Sequence, residues 1–140
     1  MKPLIVSANL DSLGKIGQYI MSAGKEAGLE KKASYKLRLA VDEIATNIIT
    51  HGYDKAGLAG DISVQAEINE HNLTVYIEDT AIPYDPTQAE MVTEETLQQT
   101  LDKRPIGGLG IYLATDSVDK FMYKRVGDRN RNILVVNQVR

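Results

Sequence analysis

Residues 42–53 read DEIATNIITHGY and belong to the clearest helical pattern in the chain. Apolar residues in and before this stretch recur at steps of three and four; they are Leu37, Ala40, Val41, Ile44 and Ile48. This spacing predicts an α-helix that begins at a cap at Ser34 and ends at Gly52, with one face packed against a core.

Three polar side chains on this helix follow one another at four-residue steps: Glu43, Asn47 and His51. Measured from the centre of the buried face, His51 lies about 20° away, Asn47 about 60° and Glu43 about 100°, for an advance of about 100° per residue. We interpret His51 as a core histidine. Glu43 and Asn47 are either ordinary polar residues at the rim of a helix or neighbours that face a site.

The rest of the chain divides into short elements separated by turns, recognised from helical or alternating apolar patterns. In chain order the predicted elements are an edge strand at 2–8, a helix from Asp11 or Ser12 to Gly28, the helix described above, strands 62–68 and 73–77 in a hairpin, a helix after Gly110, and strands 121–125 and 132–136 in a closing hairpin. Between 80 and 106 the periodicity weakens apart from a short helix predicted at 93–101, which indicates a lid or binding loop.

This order predicts helices on one face of a mostly antiparallel sheet, a two-layer α+β sandwich. A chain of 140 residues with 43% hydrophobic content is sufficient for one core. We therefore predict a single domain that spans residues 1–140.

Composition and charge exclude several classes of protein. The chain has no cysteine, so it forms neither disulfides nor thiolate metal sites. The start, MKPLIVSANL, fits neither a signal peptide nor a spanning helix, and we expect a cytoplasmic protein without membrane insertion. A net charge of -3 gives no general attraction to nucleic acid. We interpret the basic residues near the C-terminus as solvated charges of a hairpin; they are Lys120, Lys124, Arg125, Arg129 and Arg131.

Asp79 lies at the predicted end of a strand and has the same parity as Val75 and Ile77. Its carboxylate is therefore expected to point toward the face that the helices cover. A buried charge needs hydrogen-bond donors. The donor is either a structural group, such as the N-terminus of a helix, or an amine of a ligand.

A glycine-rich turn, RPIGGLGIYLA, precedes the predicted third helix. Gly107, Gly108 and Gly110 leave backbone N–H groups free to approach an anion, and the helix dipole favours a phosphate there. A tight turn with close helix packing is the other explanation of these glycines. The spacing fits neither a Walker loop nor the GxGxxG turn of dinucleotide-binding proteins.

Taken together and in this order, three segments resemble the N, G1 and G2 boxes of the GHKL ATPase superfamily, whose ATP-binding domain is the Bergerat or histidine-kinase-like fold. They are LRLAVDEIATNIITHGY at 37–53, IEDTAIPYDP at 77–86 and RPIGGLGIYLATDSVD at 104–119. Within the superfamily the chain is most similar to the anti-sigma factors with serine/threonine kinase activity of bacterial partner switching. The resemblance covers nearly the whole chain.

The resemblance implies a role for each position. Asn47 would ligate Mg²⁺ and Glu43 would act as general base on the attacking hydroxyl. Asp79 would accept a hydrogen bond from the adenine amino group. The remaining nucleotide-binding positions that it implies are Ala81, Arg104, Gly107, Gly108, Leu109, Gly110 and Asn132.

One position departs from the family pattern: the G1 box has Asp-x-Gly, whereas this chain has Asp79, Thr80 and Ala81. If the glycine permits a positive φ or a close approach of adenine, the methyl group of Ala81 costs about 1 kcal/mol or more.

The resemblance implies a kinase that uses ATP and Mg²⁺ to phosphorylate a serine of a STAS-type anti-anti-sigma protein and that sequesters a sigma factor, with homodimer formation left open. The alternative is a partner-binding module of the same fold in which nucleotide binding is weak or lost because of Ala81. A histidine kinase shares the boxes, but we expect no room for its dimerisation and phosphoacceptor helices within 140 residues.

Overall fold

The computed structural model describes residues 1–83, 116 and 118–137. In chain order its elements are β1 (Leu4–Ser7), a 3₁₀ turn (Leu10–Ser12), α1 (Leu13–Glu26), α2 (Lys31–Asn47), a π-helical segment (Ile48–Asp54), β2 (Asp61–Ile68), β3 (Asn72–Asp79), β4 (Lys120–Val126) and β5 (Arg129–Asn137). None of the helices in this described part is long and apolar enough to span a bilayer. The predicted lid and the third helix fall largely outside the described residues.

Helix α1 ends as its sequence predicts. Gly28 has a φ of 79°, in the left-handed region that glycine adopts at low cost. The N–H of Leu29 donates to the carbonyl of Gly24 at 2.9 Å, and the N–H of Gly28 donates to the carbonyl of Lys25 at 3.1 Å. This pair of bonds is the Schellman arrangement, which satisfies carbonyls that the helix leaves unpaired. At the other end Ser12 makes no capping bond, because its hydroxyl instead donates to the side chain of Asn9 at 3.4 Å.

The prediction that Ser34 caps α2 is wrong. The helix begins at Lys31, and Ser34 lies inside it with only 3% of its surface exposed. A methyl group built on Gly24 of α1 would lie 2.1 Å from the Ser34 hydroxyl oxygen. Two small residues thus let the helices approach closely, which explains a serine at this position without any capping role.

The predicted end of α2 also needs correction, because regular α-helix stops at Asn47 and the π segment, Ile48–Asp54, follows. Here the N–H of Lys55 donates to the carbonyl of Thr50, five residues earlier. The 100° step per residue no longer holds in this wider turn. Gly52 and Tyr53 are therefore buried, whereas His51 is only half-buried and is not the core histidine that the helical pattern predicted.

Within the described ranges, five antiparallel strands form one sheet in the order β1-β2-β3-β5-β4. The alternating apolar residues of both predicted hairpins face the helices and complete the core. Its largest fully buried side chains include Ile16, Ile20, Leu37, Ile62, Ile77 and Leu134. The α+β architecture with a mostly antiparallel sheet is confirmed.

Tyr53 joins the helical layer to the end of β3. Its ring is 1% exposed, and its hydroxyl donates to the backbone carbonyl of Asp61 at 2.9 Å. The same hydroxyl accepts the N–H of Thr80 at 2.9 Å. The residue that follows Asp79 is therefore tied to the π segment, and this places the end of β3 at a defined position below the helices.

Candidate functional site

Asp79 is the last residue of β3 and is 3% exposed, as the strand parity predicted. Its Oδ1 accepts two hydrogen bonds, from the N–H of Ala81 at 2.9 Å and from the side-chain amide of Asn130 at 2.8 Å. Its Oδ2 is buried and has no partner among the described residues. Burial raises the pKa of Asp79, while the two hydrogen bonds and the charge of Arg125 partly offset this rise.

Asn130 lies on β5, directly opposite Asp79. It is not among the site residues that the sequence predicts. Besides Asp79, its amide NH₂ reaches the carbonyls of Ala81 at 3.2 Å and Ile82 at 3.0 Å. The register of two strands that are distant in sequence brings these groups together. The only sequence signal was that Asn130 shares the parity of the buried residues of its strand.

The sequence indicated that the basic residues of the closing hairpin are solvated charges, but this is wrong for Arg125. The guanidinium of Arg125 donates to the carbonyl of Ala81 and to the Oδ1 of Asn130, each at 3.1 Å. Arg131, on the opposite face, pairs with Glu78 at 2.6 Å. Arg125 therefore belongs to the surroundings of Asp79, because β4 pairs with β5 in a register that sets it opposite Asn130.

Asn132, two residues further along β5, is 2% exposed and lies between Ile77 of β3 and Tyr123 of β4. Its side-chain oxygen is buried without a hydrogen-bond partner in the described part of the chain. It shares the helix-facing side of the sheet with Asp79 and Asn130, because these positions alternate along paired strands. The end of the sheet thus presents several polar groups where a core would normally be apolar.

Glu43 and Asn47 approach from the helical layer. Asn47 is 5% exposed and is the last residue of α2 before the π segment. Glu43 lies one turn earlier, and its Oε2 is buried without a partner in the ranges that the structure describes. Burial, and secondarily the charge of Asp42, raises the pKa of Glu43. A carboxylate with a raised pKa is suited to accept a proton.

Comparison with known proteins identifies the family of this chain. A family model described as the histidine kinase-like ATPase domain matches residues 6–137, which is nearly the whole chain. The chain belongs to this ATPase family. The resemblance to the GHKL superfamily is thereby confirmed.

Curated relatives of this ATPase domain are serine-protein kinases named RsbW. The protein from Listeria innocua is 28% identical over 109 residues, which cover 77% of this chain and 68% of that protein. The protein from Bacillus pumilus is 27% identical over 117 residues, or 82% of this chain and 72% of its own length. The Bacillus licheniformis protein is 27% identical over 101 residues, and only 63% of its length is matched.

Part of the predicted ATPase site lies outside the described residues. These positions are Arg104, Gly107, Gly108, Leu109 and Gly110. The described positions of the site come from α2, from the end of β3 and from β5. These described positions carry carboxylates and amides, and Tyr53 of the π segment bonds to Thr80 at the end of β3.

Ala81, where the family has glycine, is 3% exposed and packs against the π segment. A methyl group built on Gly52 would lie 2.8 Å from the Cβ of Ala81, which is closer than carbon atoms tolerate. The methyl group of Ala81 therefore fills the space that Gly52 leaves open.

This packing predicts that Gly52→Ala lowers the free energy of unfolding by about 1–3 kcal/mol through overpacking. Combining it with Ala81→Gly should recover most of the loss, because the second change removes the clashing methyl group. Urea denaturation of the two single variants and the double variant measures the coupling. Gly14→Ala is the matched control, since nothing lies within 4 Å of a methyl group there and alanine favours a helix. Additive effects of the two changes would contradict the proposed contact.

Proposed function

We propose that this chain is an ATP-dependent serine/threonine protein kinase of the anti-sigma type. Its substrate would be a serine of a STAS-type anti-anti-sigma protein, and its second partner would be a sigma factor that it sequesters. The family match and the relatives named serine-protein kinases support this proposal. Both partners place its action in the cytoplasm, without direct contact to nucleic acid or membrane.

One observation carries the proposal. In the described ranges, the buried side-chain nitrogen or oxygen atoms without a hydrogen-bond partner are Oε2 of Glu43, Oδ2 of Asp79 and Oδ1 of Asn132. Most buried polar atoms in native proteins are paired, so three unpaired acceptors at positions expected to meet ATP and its acceptor are unusual. Each can accept a hydrogen bond from an external group, and the carboxylates of Glu43 and Asp79 can also accept a proton. A bound nucleotide and an attacking hydroxyl would supply such groups.

Asn47 and the surrounding residues fit a magnesium site of the open type. Mg²⁺ prefers oxygen ligands and keeps several waters or phosphate oxygens, so one buried amide oxygen is a sufficient protein contribution. When bound with the nucleotide, the ion would neutralise charge that develops on the phosphates. Asn47, at the junction of α2 and the π segment, would hold it at a fixed point.

Glu43 would act on the acceptor serine, one helical turn before Asn47. Its Oε2 would accept the proton of the serine hydroxyl as the serine oxygen forms its bond to the γ-phosphorus of ATP. The bond between that phosphorus and the β–γ bridging oxygen breaks, and ADP leaves. Asp79 would hold the adenine by accepting a hydrogen bond from its amino group at Oδ2.

The phosphorylated antagonist would no longer bind the kinase, because a phosphoserine adds a charge of nearly -2 to a contact made for an uncharged side chain. Competition between the antagonist and the sigma factor would then set which partner is held. After phosphoryl transfer the antagonist would no longer compete, and the kinase would hold the sigma factor.

A second candidate is a partner-binding module that does not use nucleotide. Ala81 in place of the family glycine is the observation that favours it, since the position borders the adenine-binding carboxylate. The contact of the Ala81 methyl group with Gly52, in the helical layer, supports the kinase instead. Retained partner binding without any response to ATP would identify the module.

A thermal-shift experiment tests the proposal. Mg·ATP at a hundredfold excess over its Kd should stabilise the native state by about 2.7 kcal/mol and raise the melting temperature by several degrees. Asn47→Ala should lose the part of this gain that depends on Mg²⁺ and keep the part seen with ATP in EDTA. Asn137→Ala, an exposed asparagine at the far end of β5, is the control. No shift of the wild-type protein at millimolar Mg·ATP would reject the kinase and leave the module.

A further inference from the structure

We propose that Asn130 is a positioning residue that fixes the Asp79 carboxylate in one orientation and so makes the pocket selective for a purine with an exocyclic amino group. Arg125 supports it from the neighbouring strand. The inference rests on the proposed function, because it concerns the base-binding end of the same pocket.

The amide of Asn130 has only one orientation that satisfies its neighbours. Its Oδ1 accepts hydrogen bonds from the Tyr123 hydroxyl and from Arg125, and a guanidinium can only donate. The NH₂ group is therefore forced toward the end of β3, where it meets Oδ1 of Asp79. Asn130 is itself 3% exposed, so water does not compete for these bonds.

This contact makes the two carboxylate oxygens of Asp79 unequal. Oδ1 is engaged by Asn130 and by the N–H of Ala81, whereas Oδ2 is left without a partner among the described residues. The terminal torsion of an aspartate is broad and nearly two-fold, so an unrestrained carboxylate rotates and presents either oxygen. With Asn130 in place, a single acceptor remains for a donor on the ligand. An exocyclic amino group is a donor, and a carbonyl at the same position is not.

The same amide also fixes the turn that follows Asp79. It donates to the carbonyls of Ala81 and Ile82, and Arg125 donates to the first of these as well. In this chain the turn carries alanine where the family pattern has glycine. Hydrogen bonds from β5 and β4 therefore hold the backbone of this turn. They keep the N–H of Ala81 in place to donate to the carboxylate of Asp79.

The test compares two nucleotides that differ at one group of the base. Calorimetric titration with Mg·ATP and with Mg·ITP, whose base has a carbonyl in place of the amino group, measures selectivity directly. We expect Asn130→Ala to weaken ATP binding about tenfold, the usual effect of losing a hydrogen bond to a charged group, and to change ITP binding less than about twofold. Arg125→Met, at the exposed rim, should weaken ATP binding about threefold and leave the fold intact.

Asn137→Ala on the same strand is the matched control and should change neither affinity. Equal losses for ATP and ITP in both Asn130→Ala and Arg125→Met would assign these residues a merely structural role and overturn the proposal. If Asn130→Ala does not fold, the selectivity ratio of Arg125→Met decides the question.

A measurement without nucleotide separates this inference from the proposed function. The Asp79 carboxyl, followed by carbon-detected NMR during an acid titration, should show a higher pKa in Asn130→Ala than in the wild type, because Asn130 lowers that pKa by bonding to the charged form. If the wild-type protein binds no ATP, the proposed kinase fails, while this pKa still reports whether Asn130 holds the carboxylate. If Asn130→Ala leaves both the Asp79 pKa and the chemical shift of the Ala81 amide unchanged, the positioning role is overturned.

Discussion

Glu43→Gln should abolish phosphoryl transfer and leave nucleotide binding intact. Glutamine keeps the size and polarity of the side chain but accepts no proton, so the rate of transfer should fall by about 10²–10⁴-fold, the usual contribution of a general base. The Kd for Mg·ATP should change less than about threefold, because Oε2 is proposed to meet the acceptor serine. ADP release with a STAS-type protein as acceptor gives the rate, and calorimetry gives the Kd.

The pH dependence of the same reaction gives a second measurement of Glu43. The base must be deprotonated, so the rate should rise with pH through a pKa that burial holds above the usual range for glutamate. Asp42→Asn is the matched control on the same helix: it removes the neighbouring charge that contributes to the rise and should move the midpoint to lower pH. A Glu43→Gln variant with normal transfer, or one that loses ATP binding in parallel, would remove Glu43 from the role of base.

Asp79→Asn should weaken ATP binding about 100-fold without weakening the fold at neutral pH. The affinity falls because an amide presents a donor where the adenine amino group needs a charged acceptor, and such a loss costs about 1.5–3 kcal/mol. The free energy of unfolding changes in the opposite direction, since the variant no longer buries a carboxylate whose Oδ2 lacks a partner in the described ranges. We expect the free energy of unfolding at pH 7 to rise by about 1 kcal/mol.

The size of this change in the free energy of unfolding depends on pH. Because the pKa of Asp79 is raised in the folded protein, its contribution to stability is fully present below the pKa of the unfolded chain and is lost as pH rises through the folded value. The difference in unfolding free energy between Asp79→Asn and the wild type should therefore grow from about pH 3 to pH 7. Urea titrations across this range measure it. Asp61→Asn, whose side chain is exposed on β2, is the control. A difference that shrinks with rising pH would contradict the assignment.

Much of the fold could be predicted from periodicity alone. Apolar residues at helical spacing predicted α1 and α2, and alternation predicted both hairpins, because these patterns report which face of each element is buried. The errors arose where local pattern and tertiary contact differ. Ser34 was predicted to be a cap because serine favours caps, but the close approach of Gly24 selects a small residue there. His51 was misplaced because a π turn begins at Ile48.

The residues of the candidate site also divide into those that the sequence predicts and those that depend on tertiary contacts. Resemblance to a family predicts Glu43, Asp79 and Asn132, and each carries a buried oxygen without a hydrogen-bond partner among the described residues. Asn130 and Arg125 were missed, because their importance comes from the register between strands more than 40 residues apart in sequence, as in the contacts to Asp79 and Ala81. Sequence periodicity gives the face of a strand but not the residue opposite.

The hydroxyl of Tyr53, shared between Asp61 and Thr80, has a consequence for ligand capture. It joins the layer that carries Asn47 to the strand end that carries Asp79 through contacts within the chain itself. If Asn47 binds the metal and Asp79 the base, as proposed, the conformational entropy of bringing these two positions together would be lost during folding and not at each binding event. For the proposed pocket, we therefore expect the affinity for a nucleotide to depend mainly on its direct contacts with these positions.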